Sequence, residues 1–244
     1  AGMLEAVDAN VGRLLAYLEE IGEADNTVMI VLSDNGADNN EQDKTFPEWY
    51  AKNFDMSYEA MGLPGSYVNY GPGWAGASGT PLHLFKGSAS EGGMRVPFIV
   101  HYPGKLQKGK LTDAFAYVSD VTPTLLELAG APAHDGSYGG RKVHEITGKS
   151  MVSFLQGETD RIHGPNDPVA YELAGSAAVF RGDYKMVRNN PLFGDKKWRL
   201  YRYQDDPLEL DDRAESEPKR FAEMQAAYNA YAKEVSLIEV PDDY

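Results

Sequence analysis

The sequence predicts an α/β domain over residues 1–156, followed over residues 157–244 by a small antiparallel sheet packed by a carboxy-terminal helix. Three patterns predict it. Met3, Leu4, Val7, Val11, Leu14, Leu15, Leu18 and Ile21 recur at three- and four-residue steps and draw one apolar stripe on a helix. Residues 27–32 then run β-branched and apolar without alternation, the pattern of a central strand covered by helices on both faces. Beyond residue 168 the chain changes to short strand candidates separated by turn residues, with Arg181-Gly182-Asp183 as a tight turn between two of them.

Taken in order, Gly22 is placed to stop the first helix. From residue 36 to 80 periodicity fails while glycine, proline and aromatic residues accumulate, among them Trp49, Tyr50, Tyr58, Tyr67, Tyr70 and Trp74. This segment reads as a long ordered loop over a site, because long loops in compact domains tend to carry function. Residues 95–102 read as a second strand and 120–128 as a short helix with Pro123 in its first turn. Residues 136–148 are glycine-rich and basic, and 157–168 form a connector. Segments 169–173, 177–180, 184–188 and 198–203 are the strand candidates of the second region, and 218–235 is its helix.

Composition excludes several classes. At 244 residues the chain can bury a substantial core. No run of about 18 apolar residues exists, so the sequence predicts no membrane-spanning helix. A formal charge of −14 repels polyanions and argues against nucleic acid and against an anionic membrane surface. From Asp205 to Tyr244 twelve acids stand against four bases, most simply a solvated face. Without cysteine there are no disulfides, thiolate metal sites or thiol nucleophile in these residues, and the redox compartment is left open. Ala1-Gly2-Met3 has neither a basic nor an apolar leader region and starts inside an amphipathic helix, as a sequence cut from a longer chain would.

Chemistry concentrates after the first strand. Ligands in open α/β sheets gather beyond the carboxyl ends of strands, where Ser33-Asp34-Asn35-Gly36 falls. Asp34 offers a carboxylate and Asn35 a carbonyl oxygen, hard donors suited to calcium or magnesium, and Gly36 lets the backbone turn sharply. Two donors are fewer than the six or more oxygens calcium takes, and an Asp-Asn-Gly after a strand is on its own more often a turn.

Further along stand Leu84-Phe85-Lys86-Gly87 and Glu91-Gly92-Gly93-Met94-Arg95-Val96-Pro97. With Val31-Leu32-Ser33-Asp34-Asn35-Gly36 they resemble, in order and spacing, the paired signatures of the formylglycine-dependent sulfatases of the alkaline-phosphatase superfamily. Ser66-Tyr67-Val68, Tyr70-Gly71-Pro72 and Trp74-Ala75 look like the insertion of bacterial arylsulfatases, and Trp198-Arg199-Leu200-Tyr201 with Asp206-Pro207 is similar to the family's closing strand.

The resemblance implies that the first region is part of an alkaline-phosphatase-like α/β/α sandwich. It implies Asp34 and Asn35 as two ligands of a calcium ion, in preference to magnesium or manganese, and Lys86 as the lysine that contacts the sulfate, a small-molecule sulfate ester being the substrate. His83, three residues before Lys86, either faces the substrate or is a surface or internally satisfied histidine, the latter reading being the stronger. Glu91 is assigned to loop structure, because two glycines follow it.

The family attacks with a formylglycine made within a Cys/Ser-x-Pro/Ala-x-Arg motif. Ser216-Glu217-Pro218-Lys219-Arg220 matches literally, yet Ser216 is better placed to cap the final helix. The nucleophile, the remaining aspartate ligands and its histidine and lysine partners are therefore expected upstream of Ala1, on the missing amino-terminal half of the same polypeptide. Three readings stay open: a sulfuric ester hydrolase acting on aryl sulfates, a phosphate mono- or diesterase on the same scaffold, and a folded remnant without activity.

Overall fold

The computed structural model describes residues 2–69, 71–106, 109–131 and 136–241. In chain order the helices are α1 (Gly2–Glu20), α2 (Gln42–Thr45), α3 (Pro47–Asn53), α4 (Gly71–Gly79), α5 (Glu91–Met94), α6 (Val121–Leu128), α7 (Val152–Leu155) and α8 (Pro218–Glu234). The strands are β1 (Met29–Leu32), β2 (Phe98–His101), β3 (Ser137–Tyr138), β4 (Arg141–Lys142), β5 (Val169–Leu173), β6 (Ser176–Arg181), β7 (Tyr184–Arg188) and β8 (Arg199–Tyr201). The chain forms two compact units, Ala1–Leu32 with Pro97–Gly164, and Ser33–Val96 with Pro165–Tyr244. Residues 33–96 and the carboxy-terminal sheet thus fall in the same unit.

In the first unit α1 forms where the apolar stripe predicts, and Gly22 ends it at a positive φ of 75° while Glu23 N–H donates to Leu18 O at 2.9 Å. The stripe is uncovered: no residue of α1 is buried, and Met3 and Leu4 are 77% and 71% exposed. β1 is not a central strand among the described residues. It pairs antiparallel with β2 in the register Ile30↔Val100, and Leu32 and Ile99 remain exposed. An apolar run encodes a demand for burial on both faces but not which strands or helices meet it, and the described residues supply one partner strand. A 3-10 turn over Val118–Asp120 leads into α6, whose Pro123 lies in the first turn as expected. The glycine-rich stretch forms the β3–β4 hairpin, where Gly139 and Gly140 both take positive φ at its tip.

The second unit is built on the sheet β5-β6-β7-β8, antiparallel throughout. Arg181 pairs with Tyr184 across the predicted tight turn, where Gly182 has φ 59°. Side chains alternate across this sheet. One face carries Ala177, Val179, Met186 and Leu200, which close with Met224 and Tyr228 of α8 into the core. Val179, Met186, Leu200 and Met224 are fully buried, each burial contributing about 1.5–3 kcal/mol relative to exposure. Pro218 opens α8 at its first position, but Ser216 does not cap it: the cap position is Glu217, and Ser216 Oγ donates to Arg213 O at 3.4 Å. The chain reverses direction one residue later than the capping rule assumed, which leaves Ser216 in the preceding turn.

Residues 36–80, read as a long ordered loop, contain the short helices α2, α3 and α4. Pro47 at the first turn of α3 fixes its φ for helix, and Tyr50 and Phe54 stack at 5.7 Å with Tyr67 4.4 Å from Tyr50. Part of the aromatic content is thus a small local core, whereas Tyr58 and Trp74 are 81% and 71% exposed. Tyr70 lies outside the described residues. No helix among the described residues is long and apolar enough to cross a membrane.

Candidate active site

The turn after β1 is organised by its own side chains. Ser33 Oγ donates to Asn35 O at 2.9 Å, and Asn35 Nδ2 donates to Gly36 O at 2.8 Å. Asn35 Oδ1 accepts no hydrogen bond from the described residues, and the exposed Asp34 carboxylate has no partner among them. Gly36 is required for a reason other than the one the sequence suggested. A Cβ there would lie 1.8 Å from Gly92 O, so the residue permits close backbone approach to α5, sealed by Gly36 N–H donating to Gly93 O at 3.0 Å.

The segment bearing Lys86 is tied to the same turn. Lys86 N–H donates to Ala37 O at 3.1 Å, and Gly92 N–H donates to His83 O at 2.8 Å. Leu84 is forced to φ 62°, a left-handed conformation that non-glycine residues rarely hold. The Lys86 ammonium reaches the Asp38 carboxylate, Nζ to Oδ2 3.2 Å. Burial by itself would raise the Asp38 carboxyl; the Asn40 N–H at 2.9 Å and the Lys86 ammonium outweigh it and hold the group below its usual range. Asp38 was missed by the sequence reading, although a carboxylate two residues beyond Gly36 was the available signal. The structure therefore brings Asp34, Asn35, Asp38 and Lys86 onto one backbone-linked pair of segments.

His83 turns elsewhere. Its Nδ1 lies 3.4 Å from Glu209 Oε2, on a carboxylate that is nearly fully buried. Burial would raise the Glu209 carboxyl, but the buried ammonium of Lys185 at 2.7 Å more than offsets this, with His83 and Ser90 adding to it, and the group stays below its ordinary range. Glu91 is only 3% exposed and is bonded by Arg95 Nε at 2.6 Å and Lys185 Nζ at 2.8 Å, in keeping with a structural rather than reacting role. Lys185 and Glu209 carried no sequence signal, because they meet each other across 24 positions and Lys185 meets Glu91 across 94. Tyr201 is 6% exposed, and burial pushes its phenol well above the usual range. With His83, Ser90, Asn189, Phe193 and Arg199 it lines a cavity of about 500 Å³ on the sheet face opposite α8.

Among the described residues no group of three or more His, Cys, Asp and Glu side chains could hold a metal on its own. The unpartnered Asp34 carboxylate and Asn35 Oδ1 nevertheless suit a hard cation as part of a larger shell.

Two family models match this chain: one described as Sulfatase over residues 1–131, the other as N-sulphoglucosamine sulphohydrolase, C-terminal, over residues 86–230. The chain belongs to the sulfatase family. It is 37% identical over 251 residues to an uncharacterized sulfatase of Schizosaccharomyces pombe, covering all of this chain and 44% of that protein. It is 39% identical over 134 residues to an arylsulfatase of Klebsiella aerogenes, covering 53% of this chain and 28% of the relative. The crystal structure of Ps i-CgsB in complex with k-i-k-neocarrahexaose superposes with a TM-score of 0.67 at 23% identity, over 95% of this chain and 42% of that one, a likeness of fold. The chain thus spans less than half the length of these relatives.

Proposed function

We propose that this chain is the carboxy-terminal portion of a sulfuric ester hydrolase, supplying part of its calcium shell and one cation for the sulfate. The observation that carries this reading is the backbone tie between residues 83–87 and 36–38, which fixes Lys86 relative to the Asp34-Asn35 turn. When bound, calcium supplies positive charge beside the sulfate oxygens, and the formylglycine expected upstream supplies the attacking oxygen.

Asp34 and Asn35 donate oxygens to the cation. Lys86 neutralises one oxygen of the sulfuryl group as negative charge spreads during transfer, and Asp38 holds its ammonium in place until the substrate arrives. The uncovered stripe of α1 and the exposed faces of β1 and β2 support a larger α/β/α sandwich completed by residues outside this chain, the missing amino-terminal half. In this reading residues 36–80 are the segment over the site, and residues 157–244 are the small β subdomain.

The test uses the intact protein with 4-nitrophenyl sulfate. Lys86→Ala lowers kcat by roughly 100-fold or more, the size typical of losing one charge-stabilising donor. Chelation abolishes turnover and added calcium restores it. Retained turnover in Lys86→Ala refutes the role of Lys86, and faster cleavage of 4-nitrophenyl phosphate than of the sulfate refutes the sulfatase reading in favour of a phosphoesterase. An intact protein inactive on both esters is the non-catalytic remnant.

A further inference from the structure

Lys185 of β7 is fully buried, an unusual place for an ammonium, and lies between two buried carboxylates. Its Nζ is 2.8 Å from Glu91 Oε1 and 2.7 Å from Glu209 Oε1, and it sits 5.3 Å from the centre of the Phe180 ring. The arrangement extends outward, with Arg95 on Glu91 at 2.6 Å and the His83 imidazole beside Glu209 at 3.4 Å. Glu209 is held at φ 57°, so the network fixes a backbone that a carboxylate-bearing residue seldom adopts. Buried ion pairs add little net stability, because desolvation offsets the attraction. What they do supply is a single geometry.

That geometry bears on the candidate site through α5. Glu91 is the first residue of α5, and the two that follow pack their backbones too closely for any side chain: a Cβ on Gly92 would lie 2.1 Å from Leu84 O, and one on Gly93 2.3 Å from Ser88 O. Gly92 N–H holds His83 O, and Gly93 O holds Gly36 N–H. Just past the end of β7, Asn189 holds the other end of this segment, accepting from Ala89 N–H at 2.7 Å and donating to Ser90 Oγ at 2.9 Å. Any shift of Glu91 therefore carries the Asp34-Asn35 turn and the Lys86 segment with it.

We propose that Lys185 is a positioning residue for the sulfate and metal site, acting through Glu91 and α5 rather than by touching substrate. This rests on the assignment of Asp34, Asn35 and Lys86 above. The logic of charge gives a specific test. Lys185→Met keeps the length of the side chain but leaves Glu91 and Glu209 facing each other without a cation. Glu209→Gln in the same chain removes the repulsion and supplies an amide that can donate to Glu91.

In the intact protein, Lys185→Met lowers kcat on 4-nitrophenyl sulfate by roughly 10- to 100-fold, as expected for displacement of the site by about 1 Å. Lys185→Met/Glu209→Gln recovers at least roughly tenfold of that loss, since the uncompensated charge is gone. Glu209→Gln alone keeps the Lys185–Glu91 bond and lowers kcat less than Lys185→Met. Wild-type kcat in Lys185→Met, or a double variant no better than the single one, overturns the proposal and leaves Lys185 as core filling.

If the intact protein turns over no sulfate ester, the assignment of the site has failed, and the amide resonances of Gly36, Lys86 and Gly93 decide the positioning claim separately. All three shift in Lys185→Met and return in the double variant, whereas unchanged resonances overturn it. Should Lys185→Met not fold, Glu209→Gln is read in the same two assays, and a loss of activity with unmoved resonances overturns the proposal.

Discussion

Asp120, at the end of the 3-10 turn before α6, is fully buried, and its carboxylate holds three separate pieces of the first unit together. Oδ2 accepts from Tyr117 N–H at 2.7 Å and from His163 Nε2 at 2.8 Å, and Oδ1 accepts from Lys149 N–H at 2.8 Å. Its carbonyl accepts from Thr124 Oγ1 at 2.6 Å, which in turn accepts from Met151 N–H at 2.9 Å. Asp120→Ala strips an acceptor from three donors at once. Each buried donor left unsatisfied costs about 1–3 kcal/mol. Water admitted to the vacated space recovers part of the sum, so the expected loss is about 3–5 kcal/mol.

At about 2–4 °C per kcal/mol for a chain of this size, that loss lowers the melting temperature by roughly 10 °C. Asp120→Asn keeps one carbonyl oxygen and should lose about half as much, roughly 1.5–3 kcal/mol. Urea unfolding followed by circular dichroism measures both. A loss below about 1 kcal/mol for Asp120→Ala, or an Asn variant as damaged as the Ala variant, would show that the carboxylate is not the clamp described.

Two further outcomes follow from the candidate site. Gly36→Ala meets backbone rather than a movable side chain, with its Cβ 1.8 Å from Gly92 O, so it should destabilise the protein by about 3 kcal/mol or more; a variant with unchanged melting temperature would contradict the packing of that turn on α5. Because the Glu209 carboxyl is held below its ordinary 4.5, its contribution to stability is fully present above that pH and is lost as the pH falls through it toward the folded-state value. The melting temperature of the wild type should therefore drop more steeply than that of Glu209→Gln as the pH is lowered past 4.5, and parallel curves would refute the linkage.

Much of the second unit was legible because its signals are local. Alternation and turn chemistry placed β5 and β7 at the residues observed, and Pro218 placed the start of α8. The family signatures were equally local, since Asp34-Asn35-Gly36, Lys86 and Glu91-Gly92-Gly93 each sit within a few residues. Segments 36–80 and 136–148 were read too simply. Short helices and a two-residue hairpin draw their stability from neighbours more than from periodicity, and windows of four to nine residues carry little of it.

The sequence by itself determined the family, because the signatures around Asp34-Asn35-Gly36, Lys86-Gly87 and Glu91-Gly92-Gly93 depend on which residues occur in which order. Tertiary structure alone decided why the glycines are needed and what stands behind them. Gly36 and Gly92 meet across 56 positions of chain, and the ammonium of Lys185 meets Glu91 across 94. Contacts of that range are made by the pairing of β7 with its neighbours and the packing of α5 on its face. No local pattern encodes them, since a buried lysine and an exposed one are the same letter until the fold removes the water.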